Sequence, residues 1–316
     1  MNKMIAVVGP TASGKSDLAV EICKEFGGEV VSCDSMQLYR KMNIGTAKPT
    51  TEDMQGIAHH MIDVLDMGWE YSVSDYVRDA SALCDRLFES GTMPVFCGGT
   101  GLYISSFLSG VTYSDFENDP EVRSRLEKLA LDEGIESVYK KLALVDPEAA
   151  ESIDINNRKR VIRALEVYET TGVTFTEWNR RSKETAVRKD CLVIGLDYKD
   201  REELYSRIDM RVDRMIEMGL LEETKALINE GLLGSKTASQ AIAYKEFFPY
   251  FDGSDSLENC IETLKRNSRR YAKRQLTWFR RDENVNWIFR DGKSFDEIKR
   301  EAFALVERYL SEETDG

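Results

Sequence analysis

The chain has 316 residues, 42% of them apolar and 31% charged, with a net charge of −13. This is enough apolar material for one large domain or two modest ones, and it excludes a disordered chain. No run of 18 apolar residues occurs, which excludes a helix buried across a bilayer.

The first element is the five-residue apolar run Met4–Val8. It is too short for the apolar region of a signal peptide and predicts a buried first strand. Gly9-Pro10-Thr11-Ala12-Ser13-Gly14-Lys15-Ser16 follows and matches the P-loop pattern G-x-x-x-x-G-K-[ST], with an amphipathic helix predicted over 16–26. Gly14 lets the backbone curl so that successive N–H groups point at phosphate oxygens, and the helix N-terminus adds a fixed positive end. Lys15 supplies a point charge, and the Ser16 hydroxyl suits Mg²⁺. ATP, GTP and a diphosphate ester all fit such a loop.

A second strand, 29–33, carries Asp34 at its carboxyl end. There the side chain either serves the crevice, as a water-mediated Mg²⁺ ligand or general base, or caps the next turn. The third strand, Met93–Cys97, tolerates Pro94 at its start and leads into Gly98-Gly99-Thr100-Gly101-Leu102-Tyr103, which brings the Thr100 hydroxyl to the same crevice. This strand does not end in Asp and there is no N-K-x-D motif, which disfavours a motor or a GTPase and leaves a small-substrate kinase open. Residues 119–181 read as helical throughout. Val122, Leu126, Leu129 and Ala130 share a face, and Asp146 caps a helix that has Pro147 in its first turn. A strand at 192–196 returns to the core. Helices at 201–218 and up to Gly231 end on glycines, and a basic helix spans 256–281 with Ile261, Leu264, Tyr271, Leu276 and Phe279 toward the core. A strand at 287–289, a helix at 295–310 and a short acidic tail complete the chain. The alternation predicts an α/β fold, a P-loop NTPase-like parallel sheet flanked by helices, with an all-helical subdomain inserted at 119–185 between core segments 1–118 and 186–316.

The six cysteines are scattered without a C-x-x-C pair, which fits a reducing cytoplasm and neither a disulfide framework nor a zinc site. The negative charge is unevenly spread. Residues 265–281 carry +8 and residues 156–183 carry +4, leaving −25 on the rest. An acidic body with two basic segments steers a polyanion to one face. Arg266, Arg269, Arg270, Lys273 and Arg274 recur at helical spacing as one stripe; the competing reading is a set of packing and solvated residues on a core helix. His59 and His60 are the only histidines. Neighbouring side chains diverge and no third ligand is evident, so a structural role is expected.

Several motifs agree at once: the P-loop, Asp34-Ser35-Met36-Gln37-Leu38-Tyr39, Gly45-Thr46-Ala47-Lys48-Pro49, His59-His60-Met61-Ile62-Asp63, Tyr71-Ser72-Val73, residues 98–103, and Arg269-Arg270-Tyr271-Ala272-Lys273-Arg274-Gln275-Leu276-Thr277-Trp278-Phe279-Arg280. In this order they resemble the tRNA dimethylallyltransferase (isopentenyltransferase) family over nearly the whole chain. The resemblance implies transfer of a dimethylallyl group from its diphosphate to N6 of adenine 37 in tRNAs reading codons that begin with U. It also implies an inserted domain closing on the anticodon stem-loop, a monomer and no membrane. Lys15, Ser16 and the N–H groups of residues 11–14 would bind the diphosphate, with Mg²⁺ at Ser16. Asp34 would be the base and Thr100 the channel threonine. The arginine near the leaving group maps first to Arg207 and second to Arg211, which share a helix face. Asp34, Ser35, Met36, Gln37, Thr100, Arg123, Lys159, Arg160, Val161, Ile162, Arg163, Arg270 and Arg274 would touch tRNA. Two departures stand out. Ser16 replaces the commoner threonine, and Ala243 stands where glycine is usual. No Cys follows Cys260 and no His follows His60, so the C-terminal zinc finger of eukaryotic relatives is not expected and the chain reads as bacterial. A small-molecule or nucleoside kinase and a non-catalytic RNA-binding protein are the competing functions.

Overall fold

A computed structural model of the chain describes residues 3–110, 119–184 and 187–312. The acidic tail beyond 312 and the 111–118 and 185–186 edges of the expected insert lie outside the described residues. Two compact units result, one made of Met1–Leu108 and Lys189–Gly316, the other of Ser109–Arg188.

The first unit is built on six parallel strands: β1 (Met4–Val8), β2 (Gly28–Ser32), β3 (His59–His60), β4 (Met93–Cys97), β5 (Cys191–Asp197) and β6 (Val285–Phe289), in the order β3-β2-β4-β1-β5-β6. Such a sheet hides both faces, so its central strands are apolar on both sides. Met4, Ala6 and Val8 pack with α3 (Val73–Glu89) and α4 (Gly101–Ser109). Ile5 and Val7 pack on the other face with α1 (Lys15–Phe26) and the C-terminal helix at 295–311. The histidine pair forms the edge strand β3, which two residues of sequence cannot announce by periodicity. His60 Nε2 meets Glu29 Oε2 at 2.6 Å and His59 Nδ1 meets the Ile57 carbonyl at 2.9 Å. The single-turn helix α2 (Thr51–Met54) precedes β3.

The second unit holds helices α5 (Pro120–Asp132), α6 (Ile135–Val145), α7 (Pro147–Ser152), α8 (Arg158–Thr171) and α9 (Phe175–Glu184). They close around Leu126, Ala130, Val138, Leu142, Val161, Ile162 and Leu165. Asp146, almost fully buried, caps α7 through the Ala149 N–H at 3.0 Å and also takes the Thr176 N–H at 2.8 Å, which ties α9 to α7. Its boundaries fall wider than 119–185 because the entering and leaving segments already meet there. A Cβ on Gly110 would sit 2.1 Å from the Val187 carbonyl oxygen.

After β5 the first unit continues with α10 (Arg201–Glu217), α11 (Leu220–Asn229), α12 (Phe248–Phe251), α13 (Leu257–Phe279) and α14 (Phe295–Ser311). Gly219 and Gly231 follow α10 and α11 with φ of 97° and 100°, the left-handed turn that ends a helix. A third apolar cluster joins Tyr39 and Met42 to Val212, Met215, Tyr244, Phe247, Cys260 and Leu264, packing the 36–67 segment on α10, α11 and α13.

Ala243 is held at φ 85° inside this cluster, and its N–H donates to the buried Glu246 carboxylate at 2.9 Å. A left-handed alanine costs roughly 1–2 kcal/mol, and glycine returns about 0.4–1 kcal/mol of that through its freer unfolded chain. Ala243→Gly is therefore expected to stabilise the protein by about 0.5–1 kcal/mol. Urea denaturation checks this: the midpoint rises at constant slope, and a lowered midpoint refutes the strain at this position.

Candidate active site

A cavity of about 520 Å³ opens at the carboxyl ends of β1, β2 and β4, within the first unit. The P-loop residues Thr11, Ala12, Gly14, Lys15 and Ser16 line one side, and Asp34, Ser35, Met36 and Gln37 another. Helix α10 contributes Ile208, Arg211, Val212 and Met215; helix α13 contributes Leu264, Ser268, Tyr271, Arg274 and Gln275.

Helix α1 begins at Gly14, whose φ of 75° and missing side-chain cap leave the first backbone N–H groups without an intrahelical partner. Such an end is an anion site. Lys15 folds back so that Nζ donates to the Pro10 carbonyl at 2.6 Å. Burial lowers the Lys15 ammonium to about 8; Arg211 pushes the same way, and Asp34 works against it. Burial likewise lowers the Arg211 guanidinium, with Asp34 again opposing. Lys15, Arg211 and Asp34 thus share one desolvated space.

Asp34 Oδ1 accepts the Met36 N–H at 2.9 Å, so the carboxylate also shapes its own turn. Thr100 is half-buried beside the cavity and does not line it. Its hydroxyl accepts the Ser35 N–H at 3.1 Å and hydrogen-bonds with the Tyr271 hydroxyl. Gln37 takes the Ser32 hydroxyl at 3.0 Å and donates to the carbonyls of Thr46 and Ala47 at 3.3 Å each. Glu223 of α11 gathers the N–H groups of Ile44 and Gly45 at 2.9 and 3.1 Å and the Tyr244 hydroxyl at 2.6 Å, which fixes the 43–47 turn.

The structure places several of the sequence-predicted site residues away from the cavity or in other roles. Arg207 does not line the cavity: its guanidinium pairs with Glu203 at 3.3 Å and lies 5.4 Å from the Tyr198 ring. Arg211, one turn on, takes the place facing Lys15 and Asp34. The Thr11 N–H is not free for a phosphate, because it donates to Gln275 Oε1 at 2.9 Å. Gly9, Pro10 and Ser13 support the loop from outside the cavity lining. Val161 and Ile162 face the core of the second unit and offer no side chain to RNA. Lys159 and Arg160 stand exposed in the first turn of α8. Arg123 and Arg163 converge on the buried Glu166 at 3.4 and 3.2 Å.

The basic stripe divides. Lys265 and Arg269 pair with Asp213 and Asp209 at 2.7 and 2.6 Å. Arg270, Lys273 and Arg274 are exposed and have no carboxylate partner among the described residues; Arg274 lies 5.5 Å from the Tyr271 ring. Gln275 of α13 links two of the cavity's loops. Its Nε2 donates to the Gly99 carbonyl at 3.0 Å, so one side chain bridges the P-loop and the Gly98-Gly99 turn. A Cβ on Gly99 would lie 1.9 Å from that nitrogen, which is why glycine stands there. Gln275 and Glu223 are partners of backbone groups 264 and about 180 residues away, beyond the reach of any local pattern.

No cluster of three or more His, Cys, Asp or Glu set for a metal occurs among the described residues. An all-protein metal cage is therefore not offered. The exposed Ser16 at the start of α1 beside the cavity suits Mg²⁺ carried by phosphate oxygens and water, the coordination that ion prefers. Cys97 also lines the cavity, but burial raises its thiol to about 11, which keeps it neutral.

Comparison with known proteins gives the family. A family model described as IPP transferase matches residues 37–282. The chain is 46% identical over 309 residues to the tRNA dimethylallyltransferase of Caldanaerobacter subterraneus subsp. tengcongensis, covering 96% of this chain and 97% of that one. It is 44% identical over 312 residues to the tRNA dimethylallyltransferase of Halalkalibacterium halodurans, covering 99% of each. Among solved structures, the full-length tRNA isopentenylpyrophosphate transferase of Bacillus halodurans aligns at TM-score 0.73 and 42% identity over 98% of this chain and 97% of that one. A eukaryotic dimethylallyltransferase acting on tRNA aligns at TM-score 0.86 and 28% identity over 98% of this chain and 79% of that one. The chain belongs to the IPP transferase family.

Proposed function

We propose that this protein transfers the dimethylallyl group of dimethylallyl diphosphate to N6 of adenine 37 in tRNAs that read codons beginning with U. The observation that carries the reading is the convergence of Lys15, Arg211 and Asp34 on one P-loop cavity. The helix α1 N-terminus, Lys15 and Arg211 receive the diphosphate. Ile208, Val212 and Met215 flank Arg211 on α10 and give the allylic chain an apolar wall. Asp34 faces the amine. The C1–O bond of the donor breaks and the N6–C1 bond forms. The N6 proton passes to the Asp34 carboxylate, and the electron pair of the broken bond leaves with diphosphate. Lys15 and Arg211 offset the charge that develops on the leaving group. Mg²⁺ held at Ser16 would add further neutralisation of that charge. Thr100, through the Ser35 N–H, holds the 34–37 turn in place.

The tRNA contacts are assigned within each unit separately: to the exposed Arg270 and Arg274 of α13 in the first, and to the exposed Lys159 and Arg160 of α8 in the second, where Arg123 and Arg163 are half-buried against Glu166. Contacts of this kind read the phosphate backbone and are salt-sensitive. A metabolite kinase has no use for them. Incubation with labelled dimethylallyl diphosphate and unmodified tRNA is expected to label the tRNA, and γ-labelled ATP without tRNA to label nothing. Phosphoryl transfer in the second reaction and no product in the first would reverse the assignment.

Asp34→Asn keeps the shape and cannot take the proton. Its kcat is expected to fall by about 10²-fold or more, the contribution usual for a general base, with the KM for tRNA nearly kept. Single-turnover rates check it, and activity within about threefold of wild type would leave Asp34 as a turn residue only.

The displaced assignment of the arginine has its own test. Arg211→Gln is expected to lower kcat/KM for dimethylallyl diphosphate by about tenfold or more, the worth of one charge-assisted contact, whereas Arg207→Gln changes it little. The reverse ranking would restore Arg207.

The depressed Lys15 ammonium gives a pH signature. Below about 8 the side chain is charged before the donor arrives. Above it, Lys15 must take up a proton on binding the diphosphate, so affinity falls as pH rises. The KM for dimethylallyl diphosphate is expected to climb above that pH in the wild type and to stay flatter in Lys15→Arg, whose guanidinium remains protonated. Parallel profiles for the two proteins would locate the titration elsewhere.

A further inference from the structure

Arg290 belongs to none of the motifs above and does not line the cavity, yet its guanidinium enters the back of the P-loop. It directly follows β6, where its own N–H donates to the Asp197 carbonyl at 3.0 Å. The guanidinium carbon lies 5.9 Å from the centroid of the buried Tyr198 ring. Sheet pairing and an aromatic face therefore set its position. Nη1 donates to the Ser13 carbonyl, and a Cβ on Gly14 would lie 2.1 Å from the same nitrogen. Glycine at 14 is thus demanded twice, by the φ of 75° and by the guanidinium lying where a side chain would begin.

The consequence follows from peptide geometry. In a planar trans peptide, the carbonyl of one residue and the N–H of the next point in opposite directions. The Ser13 carbonyl is turned back to Arg290, so the Gly14 N–H of the same peptide is turned forward, toward the cavity that Gly14 lines. We propose that Arg290 is a positioning residue for the diphosphate: it holds the Ser13–Gly14 peptide in the orientation that aims the Gly14 N–H at the ligand, and it places a fixed cation behind the loop. The proposal rests on the reading of this cavity as a diphosphate site. It gives the loop a second source of positive potential besides Lys15, one that the ligand never touches. A bare P-loop peptide can flip about its two flanking single bonds; a forked, charged donor anchored in the sheet opposes that flip.

The test is binding of Mg²⁺-pyrophosphate, measured by calorimetry on the full chain, for wild type, Arg290→Gln and Arg290→Lys. KM values for dimethylallyl diphosphate and for tRNA and thermal melts accompany it. Arg290→Gln is expected to weaken pyrophosphate binding by about tenfold or more and to raise the KM for dimethylallyl diphosphate in parallel, with the KM for tRNA unchanged. Lysine keeps the charge and loses the planar fork, so Arg290→Lys is expected to fall between the two. A weakening of less than about threefold in Arg290→Gln overturns the proposal, whatever the melt shows. Should Arg290→Gln fail to fold, Arg290→Lys is judged by the same threefold limit. An equal rise in the KM for tRNA also overturns it, because that marks a general loss of structure. A wild-type protein that does not bind Mg²⁺-pyrophosphate overturns the diphosphate site itself. Binding by wild type with an unchanged Arg290→Gln removes only the role of Arg290.

Discussion

Lys15 and Arg211 meet at the P-loop cavity beside Asp34, a carboxylate that acts on both, and this grouping organises the rest of the site. Both cations are lowered mainly by burial, and Lys15 also by the neighbouring guanidinium. Two half-buried cations side by side repel each other, and a further anion would relieve that repulsion. The free protein therefore carries a local excess of positive charge in a chain whose total is −13. A diphosphate bound there would supply further negative charge, and its departure as product would remove it again. Selectivity for an anionic leaving group thus comes from what the crevice lacks as much as from what it holds.

Such a site stays open only if its backbone is held by something other than the ligand. The structure does this with polar side chains sent from distant parts of the chain. Gln275 ties the Thr11 N–H to the Gly99 carbonyl. Glu223 gathers the amides of the 43–45 turn. Asp197, fully buried, takes Arg201 at 2.8 Å and Arg280 at 2.6 Å at the end of β5, the strand next to β1. Hydrogen bonds to charged groups in a dry setting are worth more than neutral ones, and losing one partner costs more than the bond itself. The loops around the cavity are accordingly fixed by the first unit alone, before any substrate arrives.

This division explains what the sequence showed and what it withheld. The P-loop was legible because its chemistry is contiguous: strand, glycines, lysine and hydroxyl occupy eight consecutive positions. The sheet was legible because buried parallel strands are short apolar runs, and β1 and β4 were placed to the residue. β3 was not, since two residues carry no period. Placing Arg207 ahead of Arg211 had no local support, because a four-residue step moves a side chain one full turn along α10 and about 40° around it. That small rotation separates a Glu203 partner from a seat beside Lys15. Val161 and Ile162 sat in a segment that resembles RNA-contacting stretches, but the apolar face of α8 had a core to fill. Gln275, Glu223 and Arg290 had no local signal at all, since each acts on backbone from more than 170 residues away.

Helix α13 shows how one element reconciles these demands. Its 23 residues present Leu264, Ala272, Leu276 and Phe279 to the interior, Tyr271 and Gln275 to the cavity, and Arg270 and Lys273 to solvent. The eight cations of residues 265–281 would repel one another if all were free. Lys265, Arg269 and Arg280 are instead spent on Asp213, Asp209 and Asp197, which anchors the helix along its length and removes part of that repulsion. The cations left over, Arg270, Lys273 and Arg274 among them, have no carboxylate partner among the described residues. A stripe that was merely a solvated face would have no reason to stay unpaired in so acidic a chain. Cations left unpaired beside the cavity of an acidic protein would draw a polyanion such as the tRNA backbone to that face.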